Sequence, residues 1–543
     1  TSSANVRPEN MGGDADVQID VDLKFQKGRK AQIEMRALAE VKEVRLNGVF
    51  EQADIDGGNM SFIYGAGKVR AKGTVQLNKV PTFIQWSKNV GKALPSEETL
   101  YIEAELDDQE RLKLGLDMGG FVRGPVRIKL TADRPRGRLG KAKVEAILTK
   151  AELRIDAMRW WRPPGIESKA NFEVDFTNPE VKAITNLQVS GGNTSIRGDV
   201  RLNAKGEILS ADFPRVVLDD ENRFRMKMRR KDGVAVTTVA GEAFDARHLI
   251  NGMFKQDSSG GFAKKSSTYL PVVIQADFDR VYTNRGEVLV DVKGNLRVLG
   301  STVEEADIQG TFLNGAPATI KILPGDGHRE MSVVIRDAGA ALRAANLYSK
   351  AAGGQLELTA QLGTAADPSI KRGMLTIRNF AIRDETALSE IDRTDHTVRT
   401  RPSGPRNQAM AFTKLTVPFS SDQTFVRIGE SLLKGPEMGA TVQGVIRRRD
   451  GAIDIGGTII PAYELNSALG EVPLLGEILT GGKGQGVFGV TFALRGTMQK
   501  PQFIVNPVSA LAPGFLRRIF EMGGNYPEPG QKRTRITPTE RTN

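Results

Sequence analysis

Chemistry in this chain of 543 residues has to come from its nucleophiles, acids, bases and metal ligands, and they are sparse. There is no Cys, which removes disulfides, thiolate metal sites and Cys nucleophiles. The only histidines are His248, His328 and His396, and none has a second ligand at helical or strand spacing. His248 lies beside an apolar helix face, and His328 follows the turn-like Gly325-Asp326-Gly327. The acidic pairs Asp107-Asp108, Asp219-Asp220 and Glu304-Glu305 are adjacent in sequence. Neighbours in a strand point to opposite faces, so these pairs suit turns better than a general acid and base sharing one substrate. Gly484-Gln485-Gly486-Val487-Phe488-Gly489 has the spacing of a dinucleotide fingerprint, and Lys483 precedes it without completing a phosphate loop. It leads into the alternating run Phe488–Leu494 and not into a helix whose N-terminus would hold a pyrophosphate. No catalytic residue, cofactor or metal is expected, and the protein is read as a non-enzyme.

The elements that would position any such groups are strands. Val17, Ile19, Val21, Leu23 and Phe25 alternate with polar residues, placing five apolar side chains on one face. Val69, Val75 and Leu77 repeat the pattern, as do Phe172, Val174 and Phe176. So do Ile196, Val200 and Leu202, then Phe224, Met226 and Met228. Leu356, Leu358 and Leu362 follow, and near the C-terminus Phe488, Val490 and Phe492. One-sided strands of this kind predict an antiparallel sheet with one wet and one dry face. Asp232-Gly233 and Asp450-Gly451 predict hairpin tips, each beside a basic triplet. A polar residue followed by Gly recurs at Lys72-Gly73, Arg197-Gly198, Lys293-Gly294, Gln309-Gly310 and Arg495-Gly496, at irregular spacing that excludes a fixed-period solenoid.

Few helices are predicted. Asp337 is placed to cap one bearing Ala338, Ala341, Leu342 and Ala345, ending near Gly353-Gly354. Asp245 precedes a second with Leu249, Ile250, Met253 and Phe254. A third unit carries Leu474, Leu475, Ile478 and Leu479, and a last apolar face carries Leu511, Phe515, Leu516, Ile519 and Phe520 beside Arg517 and Arg518. These last two groups are read as membrane contacts or as caps on the end of the sheet. The fold class is mostly β: a long, twisted antiparallel sheet curled into an open hydrophobic trough, with a few short helices. The expected organisation is an N-terminal stretch of sheet over 1–240, a β region with short helices over 241–383, a polar loop over 384–410, a C-terminal region with amphipathic helices over 411–522 and a disordered basic tail over 523–543.

Net charge is +11, with Lys and Arg mostly alternating with apolar residues, which reads as a solvated face. The 23 Phe against 7 Tyr and 3 Trp favour an apolar setting and leave few platforms for stacking bases, so nucleic acid is not an expected partner. No apolar stretch reaches the ~18 residues of a membrane span. The chain is read as an excised part of a longer protein.

The run Asp337–Tyr348 followed by Gly353-Gly354-Gln355-Leu356 resembles the AsmA-like proteins of Gram-negative bacteria, most of all their large YhdP-type members. Gly457–Asn466 with Pro473-Leu474-Leu475-Gly476 and Thr480-Gly481-Gly482 carries a second match, and Asn506–Arg517 a third. Trp160-Trp161-Arg162-Pro163-Pro164-Gly165 is a weaker one. The resemblance implies a periplasmic body on an inner-membrane anchor that this chain lacks. It also implies a bridge-like groove that carries phospholipid between inner and outer membranes, which makes phospholipids and the two membrane surfaces the expected partners. The alternative is a scaffold of the cell envelope, with its apolar faces covered by protein.

Overall fold

The computed structural model describes residues 11–506 except 26–31, 51–52, 91–97, 115, 117–119, 134–139, 176, 179, 255–269, 301, 364–369, 384–408, 423, 437, 462–489 and 498–499. The protein is mostly β and divides into two compact units near Pro324. The boundary expected at 240/241 falls inside one strand, Val234–Asp245, because backbone pairing continues across it.

In the first unit the strands are β1 (Met11–Lys24), β2 (Gln32–Phe50), β3 (Ala53–Gly65), β4 (Lys68–Leu77), β5 (Val80–Asn89), β6 (Glu98–Leu106), β7 (Val122–Arg123), β8 (Val126–Asp133), β9 (Lys141–Ile147), β10 (Glu152–Ile155) and β11 (Trp160–Arg162). They continue as β12 (Lys169–Asp175), β13 (Val181–Gly191), β14 (Thr194–Asn203), β15 (Ile208–Val217), β16 (Arg223–Lys231), β17 (Val234–Asp245), β18 (Val272–Tyr282), β19 (Val288–Leu299), β20 (Thr302–Phe312) and β21 (Pro317–Gly325). Each pairs with the next in a single ladder, except β7, β10 and β11, which form a separate three-stranded sheet. All ladder pairs are antiparallel apart from β17–β18, which is parallel. That corrects the expectation of a purely antiparallel sheet. The cause is the connection: helix α2 (Arg247–Phe254) leaves the end of β17, and the chain re-enters beside the start of that strand, so β18 runs in the same direction.

Connections divide between the two edges of this ladder. One edge bears α1 (Asp108–Lys113), the three-stranded sheet, α2 and the turn at Asn284–Gly286. The other carries bare turns such as Gly65–Lys68 and the Asp232-Gly233 hairpin, where both residues have positive φ as a type I′ turn requires. Bulges interrupt the pairing at Gly12/Asp14, Ile55/Gly58, Ile184/Leu187, Arg197/Asp199 and Val290/Lys293, and each bends its strand and adds twist. The recurrent Gly has a packing reason at Gly73: a Cβ there would stand 2.0 Å from the Asn59 carbonyl oxygen and 2.7 Å from Met60 Cα.

The second unit is an antiparallel ladder of β22 (His328–Ile335), β23 (Ala351–Leu362), β24 (Ile370–Arg383), β25 (Ala409–Ser421), β26 (Phe425–Lys434), β27 (Met438–Arg447), β28 (Ala452–Pro461), β29 (Val490–Thr497) and β30 (Lys500–Asn506). Helix α3 (Ala338–Ala344) is capped as expected, with the Ala340 N–H donating to Asp337 Oδ1 at 2.9 Å. It stops before Ala345, and Asn346 turns left-handed at φ 55°. Gly353-Gly354 is not its terminator: both lie inside β23, where a Cβ on Gly354 would meet Phe380 Cβ at 2.7 Å.

Candidate apolar groove

The registers join the dry faces of successive strands into rows. In the first unit one row begins Val17, Ala39, Phe62, Ala71, Trp86, Leu100, Ala132, Ala142, Val174, Ile184 and Val200. It continues through Ala211, Met228, Thr237, Ile274, Leu296 and Ala306 to Ile322. A single Thr is its only polar member. At about 4.8 Å per strand the row follows roughly 80 Å of sheet. The opposite face carries Glu40, Ser61, Lys72, Gln85, Tyr101, Thr131, Lys143 and Glu173 in one such row. Bulges and the parallel pair leave this segregation intact, because each register shift restores the facing of the next pair.

Burial along the row changes. From β2 to β9 the dry face forms two closely packed clusters in which Val75 is 1% and Leu77 6% exposed. The three-stranded sheet covers part of it: Leu153, Val122 and Trp160 pack on Leu106, Val126 and Ala146, joined by Leu114 beyond α1. Arg111 of α1 is buried and donates to the carbonyls of Leu106, Val122 and Gly124, tying helix to sheet. Arg162 does the same from β11 to the Gly191 carbonyl, and burial pushes its guanidinium below its ordinary pKa. From β13 onwards the large apolar side chains of the row are only half-buried. The rings of Phe224, Phe244 and Phe278 cluster there, with centroids 5.1–6.4 Å apart. The dry-face clusters of β2 to β9 also draw on β12, β13, Leu148, Ala151, the small sheet and Leu114.

The residues expected to line a groove separate accordingly. Val17, Ile19, Val21 and Leu23 share one face of β1 and are 53–59% exposed, since β1 pairs only with β2 among the described residues. Phe25 lies just past the strand end and is 79% exposed. Val69, Val75 and Leu77 share the dry face of β4, with Val69 half-buried. Phe172 and Val174 pack against the first cluster, and Phe176 lies outside the described residues. Ile196, Val200, Leu202, Phe224, Met226 and Met228 are half-buried on β14 and β16.

In the second unit the row runs Ile335, Leu356, Ile377, Leu415, Leu433, Ala440, Ile459 and Val490. Helix α3 packs Ala338 and Ala341 into the cluster of Leu356, Ile377, Phe380 and Phe412, so Leu356 is core and not open lining. Leu358 is half-buried, Leu362 is buried, and Phe492 packs against the same cluster. Phe488 lies outside the described residues, as do Leu474, Leu475, Ile478, Leu479, Leu511, Phe515, Leu516, Ile519 and Phe520. So does the Gly484–Gly489 fingerprint.

The structure adds a charged pair, Lys88 and Glu98, that sequence reading missed. Towards the Gly65–Lys68 edge of the first ladder, the row outside Trp86 runs Ile19, Ala37, Tyr64, Val69, Lys88 and Glu98. Glu98 is 5% exposed and accepts from Trp86 Nε1 at 2.8 Å, with Lys88 Nζ at 3.7 Å. The alternation Thr82-Phe83-Ile84-Gln85-Trp86 was the available signal for this strand. Two of the acidic pairs hold local turns and caps. Asp107 caps α1 in a capping box with Glu110, and Asp219 accepts from the Glu221 N–H and the Asn222 amide. Burial raises the pKa of Asp245 against the opposing Arg247 N–H bond. Among the described residues no cluster of His, Asp and Glu could hold a metal ion. No helix among them is long and apolar enough to cross a membrane. No protein-family model matches the chain, and no curated protein is similar to it.

Proposed function

We propose that the protein is a lipid conduit in which phospholipid acyl chains lie along the dry face of the first unit. One observation carries the reading: the row from Val17 to Ile322, unbroken but for Thr237, whose large side chains stay half-buried over β13 to β21. Backbone pairing satisfies the strands' polar groups, so a chain lying along this row meets apolar side chains at every position but Thr237. Each methylene taken from water contributes about 0.8 kcal/mol, so the trough holds acyl chains without a specific contact for each. Carrying a lipid along such a trough breaks no bond. The resemblance to AsmA-like envelope proteins supports the same reading and adds the periplasm, with transfer between inner and outer membranes, as the setting. Mass spectrometry of gently purified protein is expected to find copurifying phospholipid, and labelled lipid should move between vesicles in its presence. Protein free of lipid and inactive in transfer would overturn the reading.

A scaffold role has one observation in its favour. The outer face of the three-stranded sheet presents Trp161 and Phe121 on either side of Arg154, with Trp161 63% and Phe121 59% exposed. Exposed aromatics around an Arg are typical anchors for a protein partner. In that case the lipid assays fail and substitution of Trp161 and Phe121 releases the partner.

A further inference from the structure

Several charges on the wet face of the first unit are matched across strands. Glu105 faces Arg127, Lys129 faces Glu145 and Asp307 faces Lys321, at 3.1–3.9 Å. Strands β14 to β16 depart from this. Arg197 stands directly opposite Arg215, and Arg225 faces the bulged residues Pro214 and Arg215. Four residues further along their strands, Arg201 and Arg229 flank Ser210. All five arginines are exposed, and among the described residues none of their side chains has an ion pair or hydrogen bond. The carboxylates between the two rows are engaged, Asp212 by Lys227 Nζ at 2.9 Å and Asp199 by the Asn186 N–H at 2.8 Å. Counting by twos from Asp212 would turn Arg215 to the dry face. The bulge between Phe213 and Val216 resets the alternation and sets Arg215 beside Arg197 on the wet one.

Like charges directly opposite one another destabilise a sheet, and an anion bound between them removes the repulsion. We infer that the row Arg197, Arg215 and Arg225 is a binding site for adjoining phosphoryl groups, a diphosphate being the smallest ligand that fills it. The spacing fixes the chemistry. Side chains on adjacent strands stand about 4.8 Å apart, so the three guanidinium groups crowd within roughly 10 Å. A phosphoryl group brings up to about two charges and three acceptor oxygens on one centre, and so serves neighbouring guanidinium forks together. An extended acidic peptide presents one carboxylate per ~6.8 Å on a face, which does not match the row. Phe213, Phe224 and Phe244 all lie on the dry side, so nucleic-acid bases find no ring to stack on here. The site faces away from the apolar row and is independent of the groove.

The test is calorimetric titration of the full chain, at low ionic strength, with inorganic pyrophosphate and with inorganic phosphate. Pyrophosphate is expected to bind more tightly than phosphate. Arg197→Gln, Arg215→Gln and Arg225→Gln should each weaken it roughly tenfold, the loss of one charge-assisted hydrogen bond. Arg127→Gln removes the same charge from a matched pair on this face and should leave binding unchanged. All four positions are exposed, and melting curves verify that the variants fold. Vesicles of phosphatidylcholine with phosphatidic acid locate the source of the phosphoryl groups. Capture that pyrophosphate reverses and Arg215→Gln abolishes assigns them to lipid headgroups, whereas pyrophosphate binding without capture assigns them to a soluble diphosphate. Failure of pyrophosphate to bind overturns the site. Equal weakening in Arg127→Gln also overturns it, because the effect would then belong to net charge. Tighter binding of an oligoglutamate peptide than of pyrophosphate would make the patch a surface for acidic protein and overturn the proposal as well.

Discussion

Leu296 lies on β19 in the open part of the apolar row, half-buried between Ile274 and Ala306. Replacing it with Asp puts a carboxylate in the path of any acyl chain while leaving the backbone pairing untouched. An acyl chain that must lift off this row residue loses about four methylene contacts, each about 0.8 kcal/mol, or about 3 kcal/mol in all. That is a barrier corresponding to a fall of roughly a hundredfold in transfer rate. Leu296→Ser removes apolar surface without adding charge and should fall in between. Asn295→Asp adds the same charge one residue away on the exposed face and should leave transfer unchanged. The assay is fluorescence dequenching between donor and acceptor vesicles, with melting curves for all three variants. The reasoning fails if Leu296→Asp is folded and still transfers lipid at the wild-type rate. It fails equally if Asn295→Asp is as damaging, because the effect would then belong to charge and not to the row.

Gly73→Ala forces a Cβ against the Asn59 carbonyl and Met60 Cα, so it should destabilise the first unit by about 3 kcal/mol in denaturant titration; a neutral result would mean that β3 and β4 separate freely. Arg111→Met leaves the carbonyls of Leu106, Val122 and Gly124 without their donor, and a loss of about 3 kcal/mol is expected by the same measurement. Burial tends to raise the pKa of Asp422, but the Arg427 guanidinium and the Phe425 and Thr424 N–H groups outweigh it and hold the carboxyl below its ordinary value. Its stabilisation is therefore present above the unfolded pKa of about 4 and is lost as pH falls through the lower folded value. Asp422→Asn should lower the melting temperature at pH 7, by about 0.5 kcal/mol of stability after solvent screening, and the gap should close in acid. A pH-independent gap would refute the ion pair.

Much of this fold was legible because period-two alternation is a local property. The strands holding Val17, Val75, Val200 and Met228 are visible in sequence, since residues two apart always share a face. Asp337 before an apolar helical stripe was equally readable, as was Asp-Gly at the β16–β17 tip, for both depend on a few consecutive backbone torsions. The sequence determined that the chain has a wet and a dry face. Only the tertiary structure decided what happens to the dry one. Leu356 and Val200 read alike in sequence, yet α3 packs on the first, whereas the second stays half-open. The parallel β17–β18 pair depends on where the chain re-enters the sheet after α2, which no local pattern encodes. The row from Val17 to Ile322, and the Lys88–Glu98 pair at its rim, exist through register between strands. Register is set by bulges and by every neighbouring strand at once, so it belongs to the folded sheet and not to any segment of it.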